Sequence, residues 1–121
     1  QILQRRGQDR FRKRLLKAYE HRCAVSGCDA AQALEAAHII PYSKAGTSQL
    51  ENGLLLRADL HTLFDQGLMA INPATWKVCL HPSLKKTTYA ALEGQRYRLP
   101  KAPRDRPSQA LLTHHFEACR F

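Results

Sequence analysis

The stretch from Leu34 to Leu68, LEAAHIIPYSKAGTSQLENGLLLRADLHTLFDQGL, constrains the fold more than any other part of this chain. Leu34 to Ile40 is an apolar run that reads as a strand, and Pro41 biases Ile40 toward extended backbone. Tyr42 to Glu51 is a polar loop containing Gly46. Asn52-Gly53 is a turn signal, followed by a short buried strand over Leu54 to Leu56. Asp59 is placed to cap a helix in which Leu60, Leu63 and Phe64 fit a helical period, and Gly67 is a fitting C-terminal stop. The order is strand, loop, strand, helix. A His carried by the first strand (His38) and a His carried by the helix (His61) can meet across one small cavity in such a unit.

The flanks supply the rest of an α+β domain. Residues 5 to 21 have helical spacing, with Arg6, Arg10, Lys13 and Lys17 on one face and Phe11, Leu15 and Ala18 opposite. Such a stripe is either an ordinary solvated face or a contact for nucleic-acid phosphates. Leu68 to Asn72 and Trp76 to Leu80 form a hairpin pattern across Pro73-Ala74-Thr75. Tyr89 to Leu99 suggests a further strand broken at Gly94, KAPRDRP suggests a charged linker, and Ser108 is placed to cap a last helix.

With 121 residues, the chain is expected to be a single domain spanning 1–121. It opens at Gln1, which suits a piece of a longer protein. The 19 Lys and Arg against 10 Asp and Glu give a formal +9, an excess that favours a polyanion partner such as nucleic acid. The charge is unevenly spread: residues 1 to 22 hold eight basic and two acidic side chains, whereas residues 35 to 65 hold two basic and four acidic ones. An acidic centre suited to a cation, between basic arms suited to phosphates, is a sensible layout for a phosphodiesterase. No apolar run is long enough for a membrane helix. Cys23, Cys28, Cys79 and Cys119 are irregularly spaced and do not resemble a disulfide framework, so a cytoplasmic chain with free thiols is expected.

Hydrolysis of a phosphodiester needs a base for the water and something to neutralise charge on the phosphate and leaving oxygen. A neutral imidazole can do the first and one divalent cation the others. His38 is the candidate base, although a lone strand His is more often a packed structural residue. His61 and Asp65 lie four apart, which on a helix presents a nitrogen and a carboxylate on one face as half a metal site. Mixed nitrogen and oxygen donors suit one divalent ion: Mg²⁺ or Mn²⁺ first, with Zn²⁺, Co²⁺ or Ni²⁺ as alternatives. Asn52, as the first half of Asn-Gly, reads as a turn residue, the commonest use of that dipeptide. Cys23 and Cys28, with Cys79 or His81, are alternatively a structural zinc site, though small buried thiols are the plainer reading. His21, His114 and His115 read as structural or surface residues.

The A-A-H-I-x-P strand, N-G-L-x-L turn and D-L-H-x-L-F-D helix, in this order and spacing, resemble a branch of the HNH nuclease family. The likeness is strongest over residues 34–68. It implies a ββα-metal core, here with an added N-terminal basic helix, a β-hairpin and a C-terminal helix. It implies a metal-dependent DNA endonuclease with His38 as base, Asn52 as brace and His61 as metal ligand. In that branch the unit is often the effector of a restriction or antiphage defence protein, joined to a sensor or targeting domain. Arg57 and the stripe Arg6, Arg10, Lys13 and Lys17 are then the expected phosphate contacts, and a homodimer would let one-metal sites cut both strands. Ala37 departs from the family's habit of an Asp or His immediately before the base, which removes one ligand and leaves Glu35 as a weak substitute. The rival reading is a non-catalytic nucleic-acid-binding module with a structural zinc. A nuclease acting on RNA is a third.

Overall fold

The structure is a computed structural model that describes residues 2–41, 49–119 and 121, with side chains from Gln8 onward. Its elements in chain order are α1 (Ile2–Ala18), β1 (Leu34–His38), β2 (Gly53–Arg57), α2 (Ala58–Asp65), β3 (Met69–Ile71), β4 (Val78–Leu80) and α3 (Gln109–Cys119), with short 3₁₀ turns between. Mixed helices and small antiparallel sheets make this an α+β fold.

β1 and β2 pair antiparallel, with Leu34 opposite Arg57 and His38 opposite Gly53. Both α1 and α2 pack on this ribbon, so β2 is covered on both sides. That explains why it reads as an unbroken apolar run rather than an alternation: Leu54, Leu55 and Leu56 are all fully buried. Phe11 and Leu15 of α1 and Leu60 and Phe64 of α2 complete the same core. The second ribbon, β3 with β4, is the expected hairpin, and α3 packs on β3.

α2 begins at Ala58, and Arg57 occupies the cap position with no side-chain cap bond. Asp59 is therefore not the cap. Its carboxylate is taken by Arg57 at 2.7 and 3.0 Å and by the Tyr89 hydroxyl at 2.7 Å. The C-terminal stop at Gly67 holds: with φ +72 it lets Leu68 N–H reach Leu63 C=O and its own N–H reach Phe64 C=O, closing a Schellman motif. That motif fixes where α2 ends, immediately after Asp65.

Several other expectations are corrected. Gly53 is extended (φ −130, ψ 145), so Asn52-Gly53 makes no left-handed turn; Asn52 instead ends a 3₁₀ turn over Leu50–Asn52. The polar loop expected over Tyr42 to Glu51 otherwise lies mostly outside the described residues. α1 stops at Ala18, before Glu20 and His21, both at positive φ. Tyr89 to Leu99 is not a strand: Thr88–Leu92 is a 3₁₀ turn capped by the Thr87 side chain, and only Arg96 bridges to Lys77. The AAL sequence there has no alternation with which to line a sheet face. KAPRDRP is tied down rather than loose, since Arg106 donates to the Pro100 and Lys101 carbonyls. Ser108 does cap α3, its hydroxyl accepting the Leu111 N–H at 3.2 Å.

Candidate active site

β1 carries His38 to the end of the first ribbon, opposite Gly53. A Cβ built on Gly53 would stand 2.6 Å from Phe11 Cζ, so the glycine makes room for the Phe11 ring. That ring lies stacked on His38, with centroids 4.5 Å apart and planes 15° from parallel. The dipeptide read as a turn is thus a packing device. It lets α1 fix the plane of an imidazole.

Asn52 fixes the backbone just beyond that imidazole. It is fully buried, its Oδ1 accepts the Ile40 N–H at 2.9 Å and its Nδ2 donates to the Ile40 C=O at 3.0 Å. The Asn52 carbonyl also accepts the Ile39 N–H at 3.0 Å. One side chain therefore clamps both backbone groups of the residue two beyond His38, where Pro41 ends the pairing. A buried amide engaged at both ends holds its loop in one register.

α2 presents the facing side. His61 Nε2 stands 3.2 Å from Asp65 Oδ2, the four-residue spacing doing what helical geometry requires. His61 Nδ1 stands 2.7 Å from Glu35 Oε1 on β1. His38, His61, Asp65 and Glu35 all line one open groove of about 750 Å³, together with Phe11 and Arg12 of α1 and His115 of α3. His38 is half-buried, and its pKa is lowered, first by burial, then by His61, with Asp65 pulling the other way. The shift favours the neutral ring, the form a general base needs.

The donor set fits a divalent ion. Glu35 can only accept, so a neutral His61 that bonds it carries its proton on Nδ1 and turns the Nε2 lone pair toward Asp65. Two electron-pair donors at that separation call for a proton or a cation between them. Donors each about 2.1 Å from a Mg²⁺-sized ion at right angles are themselves about 3 Å apart. Among the described residues, no three or more His, Cys, Asp or Glu side chains converge into a metal cage. The pair His61–Asp65 would offer an ion two points of attachment, open to the groove. Glu35, the weak candidate for a third ligand, is engaged on the far nitrogen of His61.

The remaining expected residues lie elsewhere. Arg57 does not reach the groove; it pairs with Asp59 and lines a shallow dish with Tyr89 and Ser26. Arg10, Lys13 and Lys17 are exposed on α1, while the flank of α1 facing the groove carries Gln8 and Arg12. Lys17 lines a second cleft with Arg14, Lys101 and Arg104. The side chain of Arg6 lies outside the described residues. Cys23 is buried, and its Sγ accepts the Ser26 and Arg57 N–H groups at 3.3 Å.

His115, read from sequence as structural or surface, stacks on Phe64 (centroids 3.7 Å, 9°) and bonds the Phe64 carbonyl at 2.9 Å. No spacing signal links it to the motif. Arg12 was equally hidden: its guanidinium donates to the Leu34 and Ala31 carbonyls, holding the entry to β1.

Residues 23–72 match the family model described as HNH endonuclease. That segment holds β1, β2, α2 and β3, and the fold is consistent with a ββα-metal core. Among solved structures, a modification dependent TagI restriction endonuclease superposes with TM-score 0.67 at 23% identity, covering 90% of this chain. The alignment takes in 37% of that enzyme, so this chain spans little more than a third of its length. No curated protein matches the chain. No helix among the described residues is long and apolar enough to cross a membrane.

Proposed function

We propose that this domain hydrolyses DNA phosphodiester bonds with the help of one divalent ion, Mg²⁺ or Mn²⁺. The observation that carries the reading is that His38 and the His61–Asp65 pair line the same open groove from different elements. His38, kept neutral by burial, takes the proton from the attacking water. Phe11 fixes its ring and Asn52 fixes the backbone beyond it, so the base points into the groove without reorganising. His61 Nε2 and Asp65 Oδ2, 3.2 Å apart, would hold the ion. When bound, such an ion supplies Lewis-acid neutralisation of the phosphate and of the leaving oxygen.

Arg10, Lys13 and Lys17, with Arg6 on the same helical face by spacing, grip the DNA backbone outside the groove. Arg57 is already committed to Asp59 and serves the scaffold. Among the described residues no element stands out for reading bases, so sequence or modification choice is assigned to a separate targeting domain. A restriction effector fits this division, in keeping with the neighbour's role as a modification-dependent enzyme. Each site would cut one strand at a time, and paired copies would make a double-strand break.

The test is nicking of supercoiled plasmid with Mg²⁺, Mn²⁺, Co²⁺, Ni²⁺ or Zn²⁺ supplied singly. The wild type should nick, and EDTA should stop it. His38→Ala and His61→Ala should each cost about 10²-fold or more. A chain that binds DNA but cuts it with none of these ions is a binding module, and the proposal falls.

A further inference from the structure

We propose that Glu35 is a positioning residue that sets the tautomer and direction of His61, without touching the ion itself. The inference rests on the reading of His61 and Asp65 as the ion-holding pair. Glu35 and His61 are 26 positions apart in sequence and belong to different elements, yet Oε1 stands 2.7 Å from Nδ1. That is the length of a charge-assisted hydrogen bond.

A carboxylate has no proton to give at neutral pH, so the hydrogen in that bond belongs to the imidazole. The partner of one ring nitrogen decides what the other can do. With Nδ1 protonated and engaged, Nε2 keeps its lone pair, and Nε2 is the nitrogen beside Asp65 Oδ2. Without Glu35 the ring is free to carry its proton on Nε2, which would turn a donor atom into an N–H pointing at Asp65. The ring is also free to swing, since a helix face alone does not fix a side-chain rotamer. The two nitrogens point away from each other, so a group seated on Nδ1 cannot share an ion with Nε2. The negative charge on Glu35 also makes Nε2 a better electron donor, as outer carboxylates do for ligating histidines.

This gives a reason why Ala37 is tolerated where the family often has a ligand. With two protein donors rather than three, each must be pre-aimed, and a strand carboxylate supplies the aim for one of them.

Three proteins decide the matter: wild type, Glu35→Ala and the isosteric Glu35→Gln. Long-range ¹H–¹⁵N spectra of the metal-free proteins at about pH 8, above the usual imidazole range, report where His61 carries its proton. Wild type should keep a proton on Nδ1, whether or not Nε2 carries one as well, and Glu35→Ala should lose the Nδ1 proton and carry one on Nε2. Mn²⁺ affinity, measured by calorimetry, should fall about 10- to 100-fold in Glu35→Ala. It should fall less in Glu35→Gln, whose amide oxygen still accepts. Plasmid nicking by Glu35→Ala should recover at saturating Mn²⁺, so the loss lies in metal demand rather than turnover. An unchanged His61 tautomer, Mn²⁺ affinity within twofold of wild type, or nicking that saturating Mn²⁺ does not restore would each overturn the inference. Failure of the underlying site reading looks different: His61→Ala would then leave both Mn²⁺ affinity and nicking intact.

Discussion

Gly53 and Asn52 beside His38, and His38 itself, can each be tested singly. Gly53 is the most sensitive position, because any side chain there meets the Phe11 ring. Gly53→Ala should destabilise by about 1–3 kcal/mol through overpacking and should reduce nicking more than stability predicts, since the displaced ring is the one stacked on His38. Thermal melts and nicking on the same sample separate the two effects. Asn52→Asp should be at least as damaging as Asn52→Ala: it keeps an acceptor for the Ile40 N–H but sets an oxygen against the Ile40 carbonyl. Each buried group left unsatisfied costs about 1–3 kcal/mol, read as a lowered denaturant midpoint. The pH dependence follows from the lowered His38 pKa. With the neutral ring as the proposed working form, the acid limb of kcat/KM should fall below about 6.5, the ordinary imidazole value. The stability sign agrees. The unfolded chain binds the proton at higher pH than the native one, so the contribution is present above about 6.5 and lost as pH falls through the lowered native value. An acid limb above 6.5 would contradict the assignment.

At the scale of elements, α2 is held from both ends by groups far away in sequence. Arg57, Asp59 and Tyr89 tie its first turn to the segment after β4, and His115 stacks and bonds at its last. Tyr89→Phe removes one hydrogen bond to a charged acceptor at a partly exposed site, and should lower the melting temperature by an amount equivalent to about 1 kcal/mol while leaving nicking largely intact. The strand–strand–helix order was legible because β2 is uniformly apolar and α2 has clean periodicity with Gly67 at its end. The Gly53 role was not, because an Asn-Gly dipeptide carries the same local signal whether it turns the chain or admits an aromatic ring from another element. The 3₁₀ turn over Thr88–Leu92 was hidden for a related reason: what fixes it is the Thr87 cap and the tie from Tyr89 to Asp59. Glu35 could be named as a candidate from sequence, but its engagement with Nδ1 depends on how β1 crosses α2. Pattern shows what a residue can do locally, and tertiary packing decides which nitrogen it meets.

Across the whole molecule, a formal +9 does not mean nineteen cations turned toward DNA. Arg12, Arg98 and Arg106 donate to backbone carbonyls, and Arg57 is paired with Asp59. Arg10, Lys13 and Lys17 remain exposed on α1, away from the groove-facing flank. Replacing Lys13 or Lys17 with Ala should weaken DNA binding evenly across sequences. It should also lower the slope of log affinity against log salt by about 1 for each phosphate no longer neutralised. Arg57→Ala should change stability and leave that slope alone; a slope that falls with Arg57 and not with the α1 lysines would reverse the assignment. In the proposed reaction His38 acts as the base opposite a helix face that would hold the ion. Chemical rescue measures it most directly: nicking by His38→Ala in saturating Mn²⁺, with and without added free imidazole. The account predicts a nearly inactive variant partly restored by imidazole in proportion to its neutral form, while His61→Ala is not restored. A His38→Ala protein that nicks at the wild-type rate without imidazole would contradict it.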